Sequence, residues 1–71
     1  MEIQTRTVPT PDVLARLVST AEIALLDGTK EATWHKRLQR GITPIDPYRV
    51  QVGGRVRLRW DPIELAEATG R

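Results

Sequence analysis

A chain of 71 residues is long enough for one small domain and too short for the two-domain layout of most cofactor enzymes. It contains no cysteine, which excludes a disulfide framework, a thiolate nucleophile and a sulfur-ligated zinc. No apolar run approaches the roughly 18 residues that span a bilayer, and the N-terminus does not resemble a secretory signal. We therefore expect a cytoplasmic binding module with no membrane contact.

The charges are distributed unevenly along the chain. Eleven Lys and Arg against nine Asp and Glu give a formal net charge of only +2. Residues 1–29 carry two basic and four acidic side chains, whereas residues 30–59 carry eight basic and two acidic ones, and residues 60–71 return to a net charge of −2. The middle segment therefore concentrates the positive charge of the chain, and this predicts a polyanionic partner.

The first two predicted helices are marked by their caps. Thr10 caps the first helix, Pro11 fits its first position, and the helix is expected to end near Ser19. Ser19 then forms a capping box with Glu22, in which the serine oxygen accepts a hydrogen bond from the third helical residue and the glutamate reaches back. The second helix follows this box and ends at Gly28, which adopts the left-handed conformation cheaply.

The third predicted helix begins at residue 29 or 30, continues to about Arg40 and ends at Gly41. Because a tight turn with a glycine joins it to the second helix, the pair has the outline of a helix-turn-helix. Trp34 and Leu38 lie about 40° apart on its surface and mark the buried side.

A β-hairpin is predicted after a proline-containing loop over residues 41–47. Apolar and polar residues alternate on both sides of Gly53-Gly54. A two-residue loop at these glycines would mix apolar and arginine positions on each face, so we predict a three-residue loop over residues 53–55. This register pairs Val52 with Val56, Val50 with Leu58 and Tyr48 with Trp60, and leaves Arg49, Gln51, Arg57 and Arg59 on an outer face with Arg55 at the tip.

The last predicted helix begins at the Asp61 to Glu64 capping box and ends near Ala68. The predicted fold class is mainly α with a β-hairpin, a winged helix-turn-helix in the order α-α-α-β-β-α. This domain covers residues 10–68, between an N-terminal arm over residues 1–9, a candidate mobile segment, and a tail over residues 69–71.

The third helix presents short residues near its start and long cations further along, on the side opposite Trp34. Such a face fits a major groove about 12 Å wide and can approach phosphates without repulsion. A solvated cationic helix face is the alternative. The candidate DNA-contacting residues of this helix and its start are Thr29, Lys30, Ala32, Thr33, Lys36 and Arg40, with His35 and Arg37 on the flanks.

The hairpin supplies a second set of cations. Arg55 at a Gly-Gly-Arg tip is predicted to enter a narrow, A·T-rich minor groove, with Arg57 beside it on the wing. Arg49 and Arg59 complete four guanidinium groups on one hairpin. Under the alternative interpretation, the glycines only form the turn and the arginines only protect an edge strand from aggregation.

Catalytic chemistry finds little support. His35 and Ser19 are the only histidine and serine, they belong to different predicted helices, and no orienting acid accompanies them. One imidazole with scattered carboxylates lacks the clustering that a metal requires. The aromatic residues are assigned to the core, which disfavours a base-stacking platform for single strands. We expect no enzymatic activity, no cofactor and no metal.

Residues 19–68 resemble the small excisionases, which are recombination directionality factors of phages and integrative elements. They resemble the DNA-binding part of MerR-type regulators more distantly. The matching parts are residues 19–26 for the first motif helix, Gly28 at its turn, residues 33–38 with Gly41 for the recognition helix, residues 50–59 for the wing, and residues 61–65 for the helix after it.

The resemblance implies a non-enzymatic protein that binds and bends attachment-site DNA in the host bacterial cell, binds side by side, and directs a tyrosine or serine integrase toward excision. It implies that Thr33, His35 and Lys36 enter the major groove and that Arg55 and Arg57 serve the wing. The sequence departs from the family in its helix over residues 10–18, in Arg37 where an aromatic residue is common, and in its longer loop over residues 41–47.

Three functions remain open on the sequence. The first is an excisionase, and the second is a transcriptional regulator of the same fold. The third, from a different class, is a small adapter that uses its basic hairpin to bind an acidic protein surface.

Overall fold

The computed structural model describes residues 4–70, so residues 1–3 of the predicted arm and residue 71 of the predicted tail lie outside the described residues. Within this range, four helices and one three-stranded sheet form a small α+β fold. The elements in chain order are β1 (Arg6–Thr7), α1 (Pro11–Arg16), α2 (Thr20–Asp27), α3 (Glu31–Arg40), β2 (Tyr48–Val52), β3 (Arg55–Arg59) and α4 (Pro62–Thr69).

The predicted caps of α1 and α2 are confirmed. Thr10 Oγ1 accepts a hydrogen bond from the Val13 amide at 3.2 Å, and Ser19 Oγ accepts one from the Glu22 amide at 3.2 Å. Helix α1 ends earlier than predicted because the backbone turns extended after Arg16. Leu17 is the extended C-cap, and Val18 after it pairs with Trp60 in an isolated antiparallel bridge.

The predicted connection between α2 and α3 is also confirmed. Gly28 ends α2 in the left-handed region at φ 77°, and Gly41 ends α3 in the same way at φ 69°. Lys30 is the N-cap of α3 and makes no capping bond with its side chain. The two helices pack against each other across this short turn.

Two tryptophans form the centre of the core. Trp34 and Trp60 are fully buried, with ring centroids 4.9 Å apart and planes at 74°, an edge-to-face arrangement. Their indole nitrogens are satisfied, since Trp34 donates to Thr29 Oγ1 at 3.0 Å and Trp60 donates to Thr20 Oγ1 at 2.9 Å. The other buried residues of this cluster are Ile23, Ala24, Ile45 and Leu65.

The sheet has a third strand that the sequence analysis did not predict, which corrects the fold class from a mainly helical one with a hairpin to a mixed α+β one. Residues Arg6–Thr7, assigned to the N-terminal arm, form β1 and pair in parallel with β2. The Arg6 guanidinium binds the Glu64 carboxylate of α4 and lies 4.1 Å from the centroid of the Tyr48 ring. This strand ties the start of the chain to the hairpin and to α4.

The predicted hairpin register is wrong. The loop contains two residues, Gly53 and Gly54, and pairs Val52 with Arg55, Val50 with Arg57 and Tyr48 with Arg59. Both glycines have positive φ, at 57° and 80°, as the two central positions of a type I′ turn require. This turn matches the right-handed twist of the strands, and only two residues fit in it.

The prediction failed because it assumed that one hairpin face must be buried throughout. The outer half of the hairpin projects, with Val52 43% and Val56 58% exposed on opposite faces. Only the base is covered, and it is covered on both faces, since Tyr48 lies under Arg6 while Trp60 enters the helical core. Alternating apolar residues therefore did not need to share a face.

Candidate nucleic-acid interface

Three arginines are held by carboxylates of the protein. Arg6 Nη1 donates to Glu64 at 3.0 Å, Arg16 Nη2 lies 2.8 Å from the fully buried Asp61, and Arg37 Nη1 lies 3.1 Å from Asp27. The hydrogen bonds to Glu64 and Asp61 raise the pKa of Arg6 and of Arg16, respectively, above the ordinary value. These three guanidinium groups are therefore bound by carboxylates of the same chain.

The other cations are not used in this way. Of the ten Lys and Arg in residues 4–70, seven have no ion-pair partner in that range, and all seven lie within residues 30–59. They are exposed except Arg59, which is half-buried. These seven, called the unpaired cations below, are Lys30, Lys36, Arg40, Arg49, Arg55, Arg57 and Arg59.

Helix α3 is divided between a buried side and an exposed side as the sequence predicts. Trp34 is fully buried and Leu38 is half-buried and packed against the core. Ala32, Lys36 and Arg40 are exposed. Stepping 100° per residue places them opposite Trp34, so the helix presents short and cationic side chains outward.

Gln39 is a candidate that the sequence analysis missed. It is exposed and lies between His35 and Ala32 in the projection of α3. A glutamine amide can bond with both the N6 and N7 positions of adenine. The helical spacing alone predicts its outward position. The sequence analysis selected short and cationic residues of α3 and therefore omitted Gln39.

A cleft of about 330 Å³ separates α3 from β3 and brings the two elements to one surface. His35 lines it from α3, and Arg57 and Arg59 line it from β3. The first residues of α2 form the remaining wall, beginning at Ser19. The cleft therefore brings the Glu31 and His35 flank of α3 close to the arginines of β3, and the outward residues Lys36 and Arg40 do not line it.

The corrected register divides the hairpin arginines differently from the prediction. Arg55, Arg57 and Arg59 share one face of the hairpin, while Arg49 lies on the other face opposite Leu58. Arg49 is also the register partner of Thr7 in β1. The prediction that Arg49, Arg57 and Arg59 share an outer face is therefore wrong. Arg49 lies on the central strand β2, beside β1.

Thr29 is used inside the protein. Its hydroxyl accepts a hydrogen bond from the Trp34 indole at 3.0 Å and is 3.3 Å from the Ala24 carbonyl, to which it donates. It precedes the N-cap of α3, so the helical projection that placed it on the outward face does not apply to it. We therefore remove Thr29 from the candidate contacts.

Arg37 is half-buried and differs from the other cations of α3. Its guanidinium bonds with Asp27 and lies 5.7 Å from the centroid of the Trp34 ring. The sequence analysis names Arg37 as a candidate DNA contact on the flank of α3, but in this structure the carboxylate at the end of α2 holds its guanidinium. Thr33, another predicted contact, is half-buried on the same flank of α3.

His35 forms the one ion-pair contact on the outward side of α3 within residues 4–70. Its Nε2 lies 3.1 Å from Glu31 Oε2, one turn earlier on the helix, and both side chains are about half exposed. Within the described residues no cluster of three or more His, Asp or Glu could hold a metal ion. No helix among them is both long and apolar enough to cross a membrane.

Comparison of the chain with family models, with curated proteins and with solved structures gave no match in any of the three.

Proposed function

We propose that this protein binds double-stranded DNA as a winged helix-turn-helix, with α2 and α3 as the motif and the β2–β3 hairpin as the wing. The observation that carries the proposal is the grouping of the unpaired cations. The acids of this fold neutralise Arg6, Arg16 and Arg37 and leave the unpaired cations within residues 30–59 uncompensated. Polyanionic phosphates are the partner that such a surface would neutralise.

The cleft between α3 and β3 supports a duplex as the form of that partner. A helix with an outward face of short residues fits the major groove, and a two-stranded ribbon with a glycine turn fits an adjacent groove or backbone. In this arrangement Ala32, Lys36 and Arg40 face the major groove. Arg55, directly after the two-glycine turn, reaches the neighbouring minor groove, and Arg57 and Arg59 contact the intervening backbone.

Within this class we propose an excisionase, a recombination directionality factor that binds attachment-site DNA and directs an integrase toward excision. This choice rests on the resemblance of residues 19–68 to that family. A transcriptional regulator of the same fold uses the same contacts and is the second candidate. Both have the same DNA-binding surface, so only the effect on recombination separates them.

Nuclear magnetic resonance tests the DNA interface directly. In a titration of the ¹⁵N-labelled full chain with duplex DNA, we expect the largest amide shifts in α3 and in residues 52–59, and small shifts in α4. Shifts centred on α4, or none at all with attachment-site and unrelated duplexes, would contradict the DNA interface. Binding of an acidic protein surface but not DNA would favour the adapter.

Recombination in vitro with the cognate integrase tests the narrower proposal. An excisionase raises the yield of excision and lowers that of integration. A protein that binds the attachment site but leaves both yields unchanged is not a directionality factor.

A further inference from the structure

Gln39 carries the amide side chain of helix α3. The side chain is exposed and has no hydrogen-bond partner among residues 4–70. Two other polar side chains of the helix differ from it, because His35 and Arg37 are both paired with carboxylates of the chain. The donors and the acceptor of the Gln39 amide are therefore available to a group outside the protein.

Gln39 forms a row with two other outward side chains of α3. Ala32, Lys36 and Gln39 lie within about 60° of one another in the helical projection, and all three are exposed. At 1.5 Å per residue the row is about 10 Å long, which equals the rise of about three base-pair steps. When this face of the helix lies in a major groove, all three side chains therefore approach base edges together.

The amide differs chemically from the cations around it. The Lys36 ammonium binds either a phosphate or a guanine edge, so its contact alone does not define a base. An amide carries no charge, and it gains nothing from counterion release at a phosphate. Its donor and acceptor match the N7 acceptor and the N6 donor of adenine, a pattern that distinguishes adenine from the other bases in the major groove.

We propose that Gln39 is a specificity-determining residue that bonds with N6 and N7 of an adenine in the major groove. The proposal rests on the DNA-binding function proposed above and adds one base to the target sequence. The unpaired cations then supply the salt-dependent affinity for any duplex, while Gln39 contributes to the choice among sequences.

Selection of duplexes from a randomised library by the full chain tests the base preference. At one position we expect the wild type to bind adenine between about five- and 150-fold more tightly than other bases, and Gln39→Ala to lose this preference. The salt slope of the variant should equal that of the wild type, because no charge is removed. Gln39→Glu should prefer cytosine at the same position, since a carboxylate accepts a hydrogen bond from N4 of cytosine.

A modified base tests the contact itself. 7-Deazaadenine pairs with thymine but lacks the N7 acceptor. At the selected position it should weaken binding of the wild type about fivefold and leave binding of Gln39→Ala unchanged, as measured by fluorescence anisotropy. Circular dichroism checks that the variant keeps its fold, as expected for an exposed side chain.

Gln51→Ala is the matched control. Gln51 is also an exposed glutamine, but it lies on strand β2 and does not line the cleft between α3 and β3. This variant should keep the wild-type preference for adenine and the wild-type response to 7-deazaadenine.

Equal responses of the wild type and Gln39→Ala to 7-deazaadenine, a smaller salt slope in Gln39→Ala, or the same loss of preference in Gln51→Ala would overturn the proposal. Selection without a preferred adenine, by a chain that still binds duplexes with strong salt dependence, would overturn it and leave the proposed DNA binding intact. Failure of the wild type to bind any duplex would contradict the DNA-binding function together with this contact.

Discussion

The corrected hairpin register makes a sharp prediction about two arginines of the same hairpin. Arg57 lines the cleft between α3 and β3, whereas Arg49, on the central strand β2, does not line it and is the register partner of Thr7 in β1. Both are exposed and neither has an ion-pair partner among residues 4–70. Arg57→Ala should therefore weaken DNA binding, and Arg49→Ala should leave it close to wild type.

The size of the effect follows from counterion release. Without Arg49, six of the unpaired cations remain, on α3, its N-cap and β3, and at about 0.9 per phosphate they give a log-log salt slope of about −5.4. Arg57→Ala reduces the magnitude of the slope by about 1 and, through the loss of one charged hydrogen bond of about 1.5 kcal/mol, weakens binding about tenfold. Over a fourfold rise in salt, the wild-type affinity falls ~2,000-fold and the affinity of Arg57→Ala falls ~500-fold.

Fluorescence anisotropy with a labelled duplex at several salt concentrations measures both quantities. Circular dichroism of each variant checks that the fold is kept, as expected for two exposed side chains. The reasoning is refuted if Arg49→Ala weakens binding as much as Arg57→Ala, because a position in the cleft would then not distinguish them.

Three further predictions concern the fold around this surface. Trp34→Ala removes a fully buried ring and should lower the free energy of unfolding by about 3–5 kcal/mol, most of the stability of so small a domain, as measured by urea denaturation. Thr29→Val should cost about 1–3 kcal/mol in the same assay, because the Trp34 indole loses its acceptor, while DNA affinity at a temperature where the variant is folded stays unchanged. Burial raises the pKa of Tyr48, aided by Glu64 and opposed by Arg6, so the folded state holds the phenolic proton more tightly than the unfolded state does. That stability is present below the ordinary tyrosine pKa of about 10 and is lost as pH rises through the raised value; Tyr48→Phe should flatten this alkaline decline, and an unchanged decline would count against it.

The features that sequence predicted well are local ones. A cap such as Ser19 acts on an amide three residues away, and a glycine such as Gly28 ends a helix through its own backbone conformation. Such interactions depend on neighbouring residues only, so the caps, the helix ends and the outward side of α3 could be predicted. Lys36 and Arg40 were found in this way.

The features that it missed are long-range ones. The contact of Arg6 with Glu64 joins residues 58 positions apart, and that of Arg16 with Asp61 joins residues 45 apart. No local pattern marks such pairs, and β1 depends on one of them. The sequence also did not show which cations would form ion pairs within the fold. The carboxylate that binds Arg37, for example, lies on another helix.

The hairpin register failed for a different physical reason. Alternation of apolar residues fixes a register only where one face of a sheet is buried. Here the turn residues Gly53 and Gly54 determine the pairing, since the strands project beyond the core. The turn residues predict the register better than the apolar pattern does, and the register sets which arginines share a face of the hairpin.

The salt dependence of duplex binding by the wild-type chain tests the central claim most directly. If the unpaired cations on α3 and β3 neutralise phosphates together, the logarithm of the association constant falls linearly with the logarithm of salt concentration, with a slope of about −5. A slope near zero, or a slope that stays the same when Lys36, Arg55 and Arg57 are all replaced by alanine, would contradict the account.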